Sequence, residues 1–220
     1  MIEREAILGV ILAGGSARRL GGGGKTGVCV AGRPLVAHVV DRAAPQVAGL
    51  VINAPDDDTD LAAPGLSIVP DAPDEGGQGP LAGLLAGLRH AAGRGGIDAV
   101  ASFAVDTPFL PAELVARLAV ALDHQRADYA IAACAGAQYP VFGLWPVALL
   151  ATLERLYAQG LRAPRLLDGP LVKAVAVFAD EPFDPFINAN TPQDVARLEQ
   201  LAGRRADVGD PPAANRRRGP

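Results

Sequence analysis

The sequence predicts an α/β fold, in which a mostly parallel sheet is covered by helices on both faces in a three-layer, doubly wound arrangement. Short apolar runs rich in Val, Ile and Leu alternate with segments whose apolar residues recur at helical spacing. Such alternation is typical of parallel sheets with helices on both sides. Half of the 220 residues are hydrophobic, which is enough for one sizeable core. We therefore expect a single domain over residues 1–203 and a disordered, Pro- and Arg-rich tail over 204–220.

In the first half of the chain, each element follows from a local apolar pattern. Residues 6–13 form a short run of mainly Val, Ile and Leu, which is typical of a buried parallel strand. Residues 34–44 predict a helix, because Leu and Val recur at helical spacing after Pro34, a residue favoured in the first turn. The next predicted elements are strands over 50–53 and 66–69 and a helix over 80–92, whose leucines share one face.

The second half of the chain is less regular, but the alternation continues. Apolar runs predict strands over 99–105, 129–134, 141–144 and 171–178. Helical spacing predicts helices over 111–122, 146–156 and 191–201. Pro192 lies early in the first turn of the last helix, where proline is tolerated.

Composition and charge exclude several classes of function. The net charge of −4 and the low aromatic content of 5% argue against nonspecific nucleic-acid binding. The first apolar run is far shorter than the about 20 residues of a membrane helix, and acidic residues precede it, so neither a membrane span nor a signal peptide is expected.

Cys29 and Cys134 lack metal-ligand spacing, and we expect both to be small core residues in a reducing compartment, the cytoplasm. No long exposed apolar segment is evident, so a monomer is the default.

A glycine-rich loop with Arg18, Arg19 and Lys25 directly follows the first strand. Glycines let backbone N–H groups approach a phosphate closely, and the cations supply the charge that a polyphosphate needs. The Walker A spacing fails, because its opening glycine would fall at Arg19. Residues 18–20 also break the short turn of a Rossmann fingerprint. The loop predicts a nucleotide site of another kind, and a flexible loop without a ligand is the alternative.

Polar residues follow three of the predicted strands. Asn53, Asp71 and Asp106 each come directly after, or two residues after, an apolar run. Ligands of open parallel sheets bind beyond the carboxyl ends of the strands, so these side chains should converge if they form a site. Asn53 and Asp71, each taken alone, are better explained as turn residues. Asp106, delivered by a buried strand into a turn closed by Pro108, favours a ligand for Mg²⁺.

Two further segments carry both a structural and a functional interpretation. Residues 79–83, Gly-Pro-Leu-Ala-Gly, suit either close helix packing or a backbone pocket for a flat base, and the sequence does not choose between them. Thr191 and Asp194 predict a cap for the last helix. A helix cap does not require the neighbouring Asn188 and Asn190, so capping explains only part of this segment.

Together these segments resemble the molybdenum cofactor guanylyltransferases (MobA), a family within the nucleotidyltransferases of glycosyltransferase-A-like, Rossmann-like fold. The similarity runs from about Ile7 to Leu201. Residues 12–25 resemble the LAGGxxxRMGxxDK signature, 79–83 resemble GPLAG, 106–111 resemble DTPFLP, 139–145 resemble HPVFALW, and 188–194 resemble NxNTPxD.

The resemblance implies a reaction in which GMP passes from GTP to the phosphate of Mo-molybdopterin and pyrophosphate is released. It implies Mg²⁺ as cofactor, with Asp106 as its ligand, and Arg19, Lys25 and Asp106 as the catalytic set. The implied binding residues are Leu12, Ala13 and Gly14 through their backbone, Lys25, Asn53, Asp71, Gly79, Pro80, Asp106, Asn188 and Asn190. Transient contact with molybdenum-insertion proteins or molybdoenzyme chaperones also follows from the resemblance.

The chain departs from the family pattern at several positions, and other functions stay open. Gly24 stands where the family has Asp, Tyr139 where it has His, and Ala189 is smaller than usual. The alternatives are a cytidylyltransferase acting on the same cofactor, a sugar-nucleotide or isoprenoid-precursor nucleotidyltransferase, and a non-catalytic homologue that binds nucleotide. Gly24 is the residue that keeps the last alternative open.

Overall fold

A computed structural model describes residues 1–13, 28–55, 65–76 and 78–208, with only the backbone given for 204–208. Its main sheet has seven strands in the order β5-β4-β1-β6-β8-β7-β9. The strands are β1 (Ile7–Leu12), β4 (Gly49–Asn53), β5 (Ser67–Ile68), β6 (Ala99–Ala104), β7 (Tyr129–Cys134), β8 (Ala137–Pro146) and β9 (Lys173–Phe178). Only β8 runs antiparallel to its neighbours, so the predicted mostly parallel sheet is confirmed.

Helices cover both faces of this sheet, because residues of the central strands point alternately to opposite sides. Along β1, Ile7 and Ile11 face a cluster that includes α1 (Leu35–Ala43) and α3 (Leu114–His124). Leu8, Val10 and Leu12 face the cluster with α2 (Pro80–Ala92) and α4 (Leu150–Ala158). This period of two, with apolar residues on both faces, is the pattern of a strand buried between two helical layers.

A third apolar cluster lies beside the sheet and is built around α5 (Pro192–Val208). The helix reaches four residues beyond Arg204, where the sequence predicted the tail to begin. The rest of that predicted tail, 209–220, lies outside the described residues. Within the described part of the chain, no helix is both long enough and apolar enough to cross a membrane.

The structure corrects several element boundaries. A short hairpin of β2 (Cys29–Val30) and β3 (Arg33–Pro34) was not predicted, and it leaves Cys29 exposed, so the prediction of Cys29 as a core residue is wrong; Cys134 is buried as expected. Helix α3 begins at Leu114 rather than at residue 111, because the Gln46 side chain accepts a hydrogen bond from the Val115 N–H at 2.9 Å and caps this end of the helix.

Helix α4 also begins later than predicted. Strand β8 extends through Pro146, and a 3₁₀ turn over Val147–Leu149 separates it from the helix. Pro146 adopts an extended backbone conformation (φ −54°, ψ 136°), which ends the strand instead of starting the helix. Pro146 therefore lies near the boundary between the strand and the helix, but it ends the strand, whereas the sequence predicted it as the start of the helix.

The buried hydroxyl of Ser102 on β6 holds the irregular part of β8 in place. It accepts hydrogen bonds from the Trp145 indole N–H at 2.9 Å and the Gly143 N–H at 3.3 Å, and donates to the Val141 carbonyl at 2.6 Å. Trp145 is fully buried and stacks on Tyr129 with ring centroids 4.9 Å apart. Any side chain at Gly143 would meet the indole, since a Cβ there would lie 2.7 Å from its atoms.

We predict that Ser102→Ala lowers the free energy of unfolding by about 2–4 kcal/mol, because it leaves buried polar groups without a partner. Urea denaturation followed by tryptophan fluorescence measures this directly. Ser67→Ala on the exposed edge strand β5 is the control and should change stability by less than about 0.5 kcal/mol. Equal effects of the two substitutions would contradict the role assigned to Ser102.

Candidate active site

The carboxyl ends of β4, β1 and β6 lie side by side and carry the predicted site residues. Leu12 at the end of β1 pairs with Asn53 on one side and with Ala104 on the other. The pairing continues past the strand, as the Ala13 N–H donates to the Asn53 carbonyl at 3.0 Å. Asp106 follows β6 by two residues, so the expected convergence of polar residues at this edge occurs.

Asn53 is buried and joins the ends of two strands through its side chain. Its amide nitrogen donates to the Val69 carbonyl at 3.0 Å and to a carboxylate oxygen of Asp71 at 2.9 Å. Both hydrogens of the amide are therefore used within the protein. Asn53 therefore fixes the orientation of the Asp71 carboxylate, so the two residues act as a pair and not as two independent turn caps.

Helix α2 approaches this edge closely because glycines face the strands. A Cβ at Gly83 would lie 2.2 Å from the Asn53 side-chain oxygen, so only glycine fits there. Gly79 has φ +107°, and a Cβ there would lie 2.6 Å from the Arg162 carbonyl, which also accepts a hydrogen bond from the Leu81 N–H. Packing thus explains both glycines of the segment, and it places Gly83, one turn after Gly79, against the Asn53 side chain that binds Asp71.

Asp106 is buried, and its backbone carbonyl joins it to the segment of Asn188 and Asn190. The Ala189 N–H donates to the Asp106 carbonyl at 2.9 Å. Ala189 itself is fully buried, whereas Asn188 and Asn190 on either side are exposed. The small middle residue therefore turns inward, and both asparagines reach the surface beside Asp106.

The start of α5 fixes the far end of this segment. The Thr191 N–H donates to the Asp194 carboxylate at 2.8 Å, and the Asp194 N–H donates to the Thr191 hydroxyl oxygen at 3.2 Å. This reciprocal pair is a capping box, as the sequence predicted. The hydrogen bond from the Thr191 side chain is the main cause that lowers the pKa of Asp194 below its ordinary value.

The third apolar cluster ties the separate segments of the site together. Phe109 enters it from the turn after Asp106, and Ala189 enters it from between the two asparagines. Val30 reaches it from the hairpin that follows residues 14–27 in the sequence, and Leu198 and Leu201 reach it from α5. Burial of these side chains, which lie far apart in the chain, positions the segments relative to one another.

Sequence reasoning missed an ion-pair network that holds the segment between Asp71 and Gly79. Arg89 on α2 binds the largely buried Glu75 through two nitrogens, at 2.7 and 3.0 Å, and Glu154 on α4 at 2.8 Å. The hydrogen bonds that Arg89 donates to the Glu75 carboxylate are the main cause that raises the pKa of Arg89. The partners lie 14 and 65 residues from Arg89 in the sequence, so no local pattern could have paired them.

Comparisons with known proteins agree with this arrangement. The sequence profile of the family described as "MobA-like NTP transferase domain" matches residues 9–175. The chain belongs to the MobA-like NTP transferase family. It is 45% identical over 204 residues to a molybdenum cofactor guanylyltransferase of Rhodopseudomonas palustris (strain BisB5), an alignment that covers 92% of this chain and 97% of that protein.

A second relative and a solved structure are also similar to this chain. A molybdenum cofactor guanylyltransferase of Bradyrhizobium sp. (strain ORS 278) is 46% identical over 199 residues, which cover 90% of this chain and 93% of that protein. The crystal structure of molybdopterin-guanine dinucleotide biosynthesis protein A from Archaeoglobus fulgidus superimposes with a TM-score of 0.70 at 24% identity, covering 90% of this chain and 99% of that chain. The fold of this MobA-like protein is thus that of the nucleotidyltransferases.

The predicted site residues of this MobA-like protein fall into two groups. Gly14, Arg19 and Lys25 lie outside the described residues, so their roles stay predictions. The others lie at the carboxyl edge of the sheet or against it: Leu12, Ala13, Asn53, Asp71, Gly79, Pro80, Asp106, Asn188 and Asn190. Within the described ranges, no three His, Cys, Asp or Glu side chains cluster as a ready-made metal site.

We predict that Gly83→Ala weakens nucleotide binding by about tenfold or more, because the new methyl group displaces the Asn53 side chain and with it Asp71. Isothermal titration calorimetry with GTP measures the affinity. Gly87→Ala is a matched control on the same helix: its Cβ would lie 2.5 Å from Val10, in the middle of β1 and away from the edge.

Both glycine substitutions gain about 1 kcal/mol of helix propensity and lose about 1–3 kcal/mol through overpacking, so their urea midpoints should move similarly. Only Gly83→Ala should lose affinity for the nucleotide. A comparable loss in Gly87→Ala would mean that general destabilisation, rather than the Asn53–Asp71 pair, controls binding.

Proposed function

We propose that the protein is a molybdenum cofactor guanylyltransferase, which transfers GMP from GTP to Mo-molybdopterin and releases pyrophosphate. The observation that carries this proposal is the near full-length similarity, at 45–46% identity, to proteins named for that activity. The geometry supports it, because residues 79–83, 106–111 and 188–194, which resemble three of the family's motifs, adjoin the carboxyl ends of β4 and β6.

At the nucleotide end, Asp71 is the residue suited to select guanine. Guanine presents two neighbouring N–H donors on its Watson–Crick edge, which a carboxylate can accept, whereas cytosine presents an acceptor at the corresponding ring nitrogen. The amide of Asn53 holds the Asp71 carboxylate in a fixed orientation for such a contact. Gly79 and Pro80 would provide the adjoining backbone wall.

The phosphates would lie beyond the end of β1. The Leu12 carbonyl accepts from the Val105 N–H, and the Ala13 N–H donates to the Asn53 carbonyl. Contacts to the phosphates would therefore come from backbone N–H groups from Gly14 onward, whereas the Ala13 carbonyl would accept from a donor of the base or sugar. Lys25 and Arg19 would supply positive charge to the triphosphate.

Asp106 fits a role as the protein's ligand for Mg²⁺. This ion is commonly bound by one or two carboxylates together with substrate phosphates, so a single buried carboxylate at the strand end is a sufficient protein donor. When bound, the ion would neutralise charge on the phosphates of GTP. The carboxylate would hold it at the edge where Asn53 and Asp71 hold the nucleotide.

At the acceptor end, the exposed side chains of Asn188 and Asn190 flank the attachment to Asp106. They would orient the phosphate of Mo-molybdopterin, whose oxygen attacks the α-phosphorus of GTP while the bond to the pyrophosphate breaks. The attacking phosphate is already an anion, so no strong general base is required. Catalysis then consists of positioning and charge neutralisation.

The setting of the reaction is also a proposal. Cys29 and Cys134 lie on separate elements and lack the spacing of a disulfide framework, so we place the enzyme in a reducing compartment, the cytoplasm. It would act as a monomer that receives its acceptor from molybdenum-insertion proteins or passes product to molybdoenzyme chaperones.

We predict that Asp106→Asn abolishes the Mg²⁺ dependence of GTP binding and lowers turnover by about 10²-fold or more, because the neutral amide is a poor ligand for the ion. Calorimetry with GTP, CTP and ATP, each with and without Mg²⁺, measures the first effect. Pyrophosphate release in the presence of Mo-molybdopterin measures the second.

Asp98→Asn is the control, since Asp98 is an exposed carboxylate at the opposite end of the same strand, β6. It should leave binding and turnover unchanged. A preference of the wild type for CTP would replace the proposal by a cytidylyltransferase. Weak or Mg²⁺-independent GTP binding without any turnover would indicate the non-catalytic homologue that Gly24 keeps open.

A further inference from the structure

Residues 183–190, here called the strap, connect the sheet to α5 and carry Asn188 and Asn190. One end of the strap is held by the Ala189–Asp106 hydrogen bond and by the capping box of α5. The other end is held by Asp184, whose carboxylate is bound to the sheet. The position of the two asparagines therefore depends on contacts at both ends.

Asp184 is anchored to β8 through Tyr139. The Tyr139 hydroxyl donates a hydrogen bond to one oxygen of the Asp184 carboxylate, and the Phe186 N–H donates to the other at 2.9 Å. The buried thiol of Cys134 on β7 also lies against this carboxylate; burial first, and then the Asp184 charge, raises the pKa of that thiol to about 11. Three donors from three segments thus surround one carboxylate.

The same tyrosine also packs on the strap. Its ring stacks on Phe186 with centroids 4.9 Å apart, and Phe186 in turn contacts Phe142 and Phe178, at 5.0 and 5.4 Å between centroids. Phe186 is buried in the main core, whereas Ala189, three residues later, is buried in the third cluster. The strap therefore crosses from one core to the other between Tyr139 and Asp106.

We propose that the Tyr139–Asp184 hydrogen bond is a positioning contact, which fixes the strap so that Asn188 and Asn190 stand beside Asp106 where the acceptor phosphate binds. The assignment of the acceptor rests on the proposed function. Tyr139 occupies one of the positions at which the chain departs from the family pattern, and a phenol bonded to a carboxylate is a directional contact that an apolar residue cannot supply.

Tyr139→Phe tests the proposal, since it keeps the ring stacked on Phe186 and removes only the hydroxyl. Loss of a hydrogen bond to a charged group should lower kcat/KM for Mo-molybdopterin by about tenfold. The affinity for GTP, measured by calorimetry, should stay at the wild-type value. Asp184→Asn should retain most of the activity, because the amide can accept from the Phe186 N–H and donate to the phenol oxygen, whereas Asp184→Ala should not.

Tyr129→Phe is a matched control, since it removes another tyrosine–aspartate contact, with Asp168 at 3.4 Å, at the opposite end of β7. It should leave transfer unchanged. Equal losses in the two phenylalanine variants, or a parallel loss of GTP affinity in Tyr139→Phe, would overturn the proposal in favour of general destabilisation. Unchanged transfer in Tyr139→Phe would overturn it as well.

Hydrogen–deuterium exchange separates this proposal from the proposed function. The amides of residues 183–190 should exchange about tenfold faster in Tyr139→Phe than in the wild type or in Tyr129→Phe. Unchanged exchange overturns the positioning role whatever the reaction. If the wild type transfers no GMP, the proposed function fails, and faster exchange of the strap still supports the positioning contact.

Discussion

The register of β4, β1 and β6 is the constraint on which the site depends. Because Leu12 pairs with Asn53 on one side and Ala104 on the other, the three strands end at the same level. A shift of one residue would turn each buried side chain of β1 to the opposite face, and the two apolar clusters forbid it. The fixed core therefore determines where Asn53 and Asp106 lie.

Close approach of α2 to the sheet is the second requirement. Gly83 lies against Asn53 and Gly87 lies against Val10, so the helix sits nearer to the strands than side chains would permit. At Gly83 this close approach brings the helix against the Asn53 side chain, whose amide binds Asp71. Packing and function are thus not alternatives at this helix, since the packing creates the orientation that nucleotide selection would use.

Two levels of order follow from the burial of apolar groups. The main core fixes the sheet, and the smaller third cluster fixes the loops around it. On the proposed acceptor side, one small residue, Ala189, is buried and holds its loop, while the asparagines on either side of it are exposed. A polar contact such as Tyr139–Asp184 then adds direction, which apolar burial lacks.

The sequence by itself determined the fold class, the approximate place of the helices and most of the strands, and the family. Apolar periodicity and motif spacing are local properties, and they sufficed for residues such as Asp106 at a strand end or Thr191 and Asp194 in a cap. They failed where a distant residue decides a boundary, as when Gln46 caps α3.

Only the tertiary structure decided which of the candidate residues meet. It joined Asn53 to Asp71, Ala189 to Asp106, Arg89 to Glu75 and Tyr139 to Asp184. Each of these contacts links side chains or backbone groups from segments far apart in the chain. Hydrogen bonds and ion pairs act over a few ångströms in space, so no pattern along the chain specifies their partners until the core has brought the segments together.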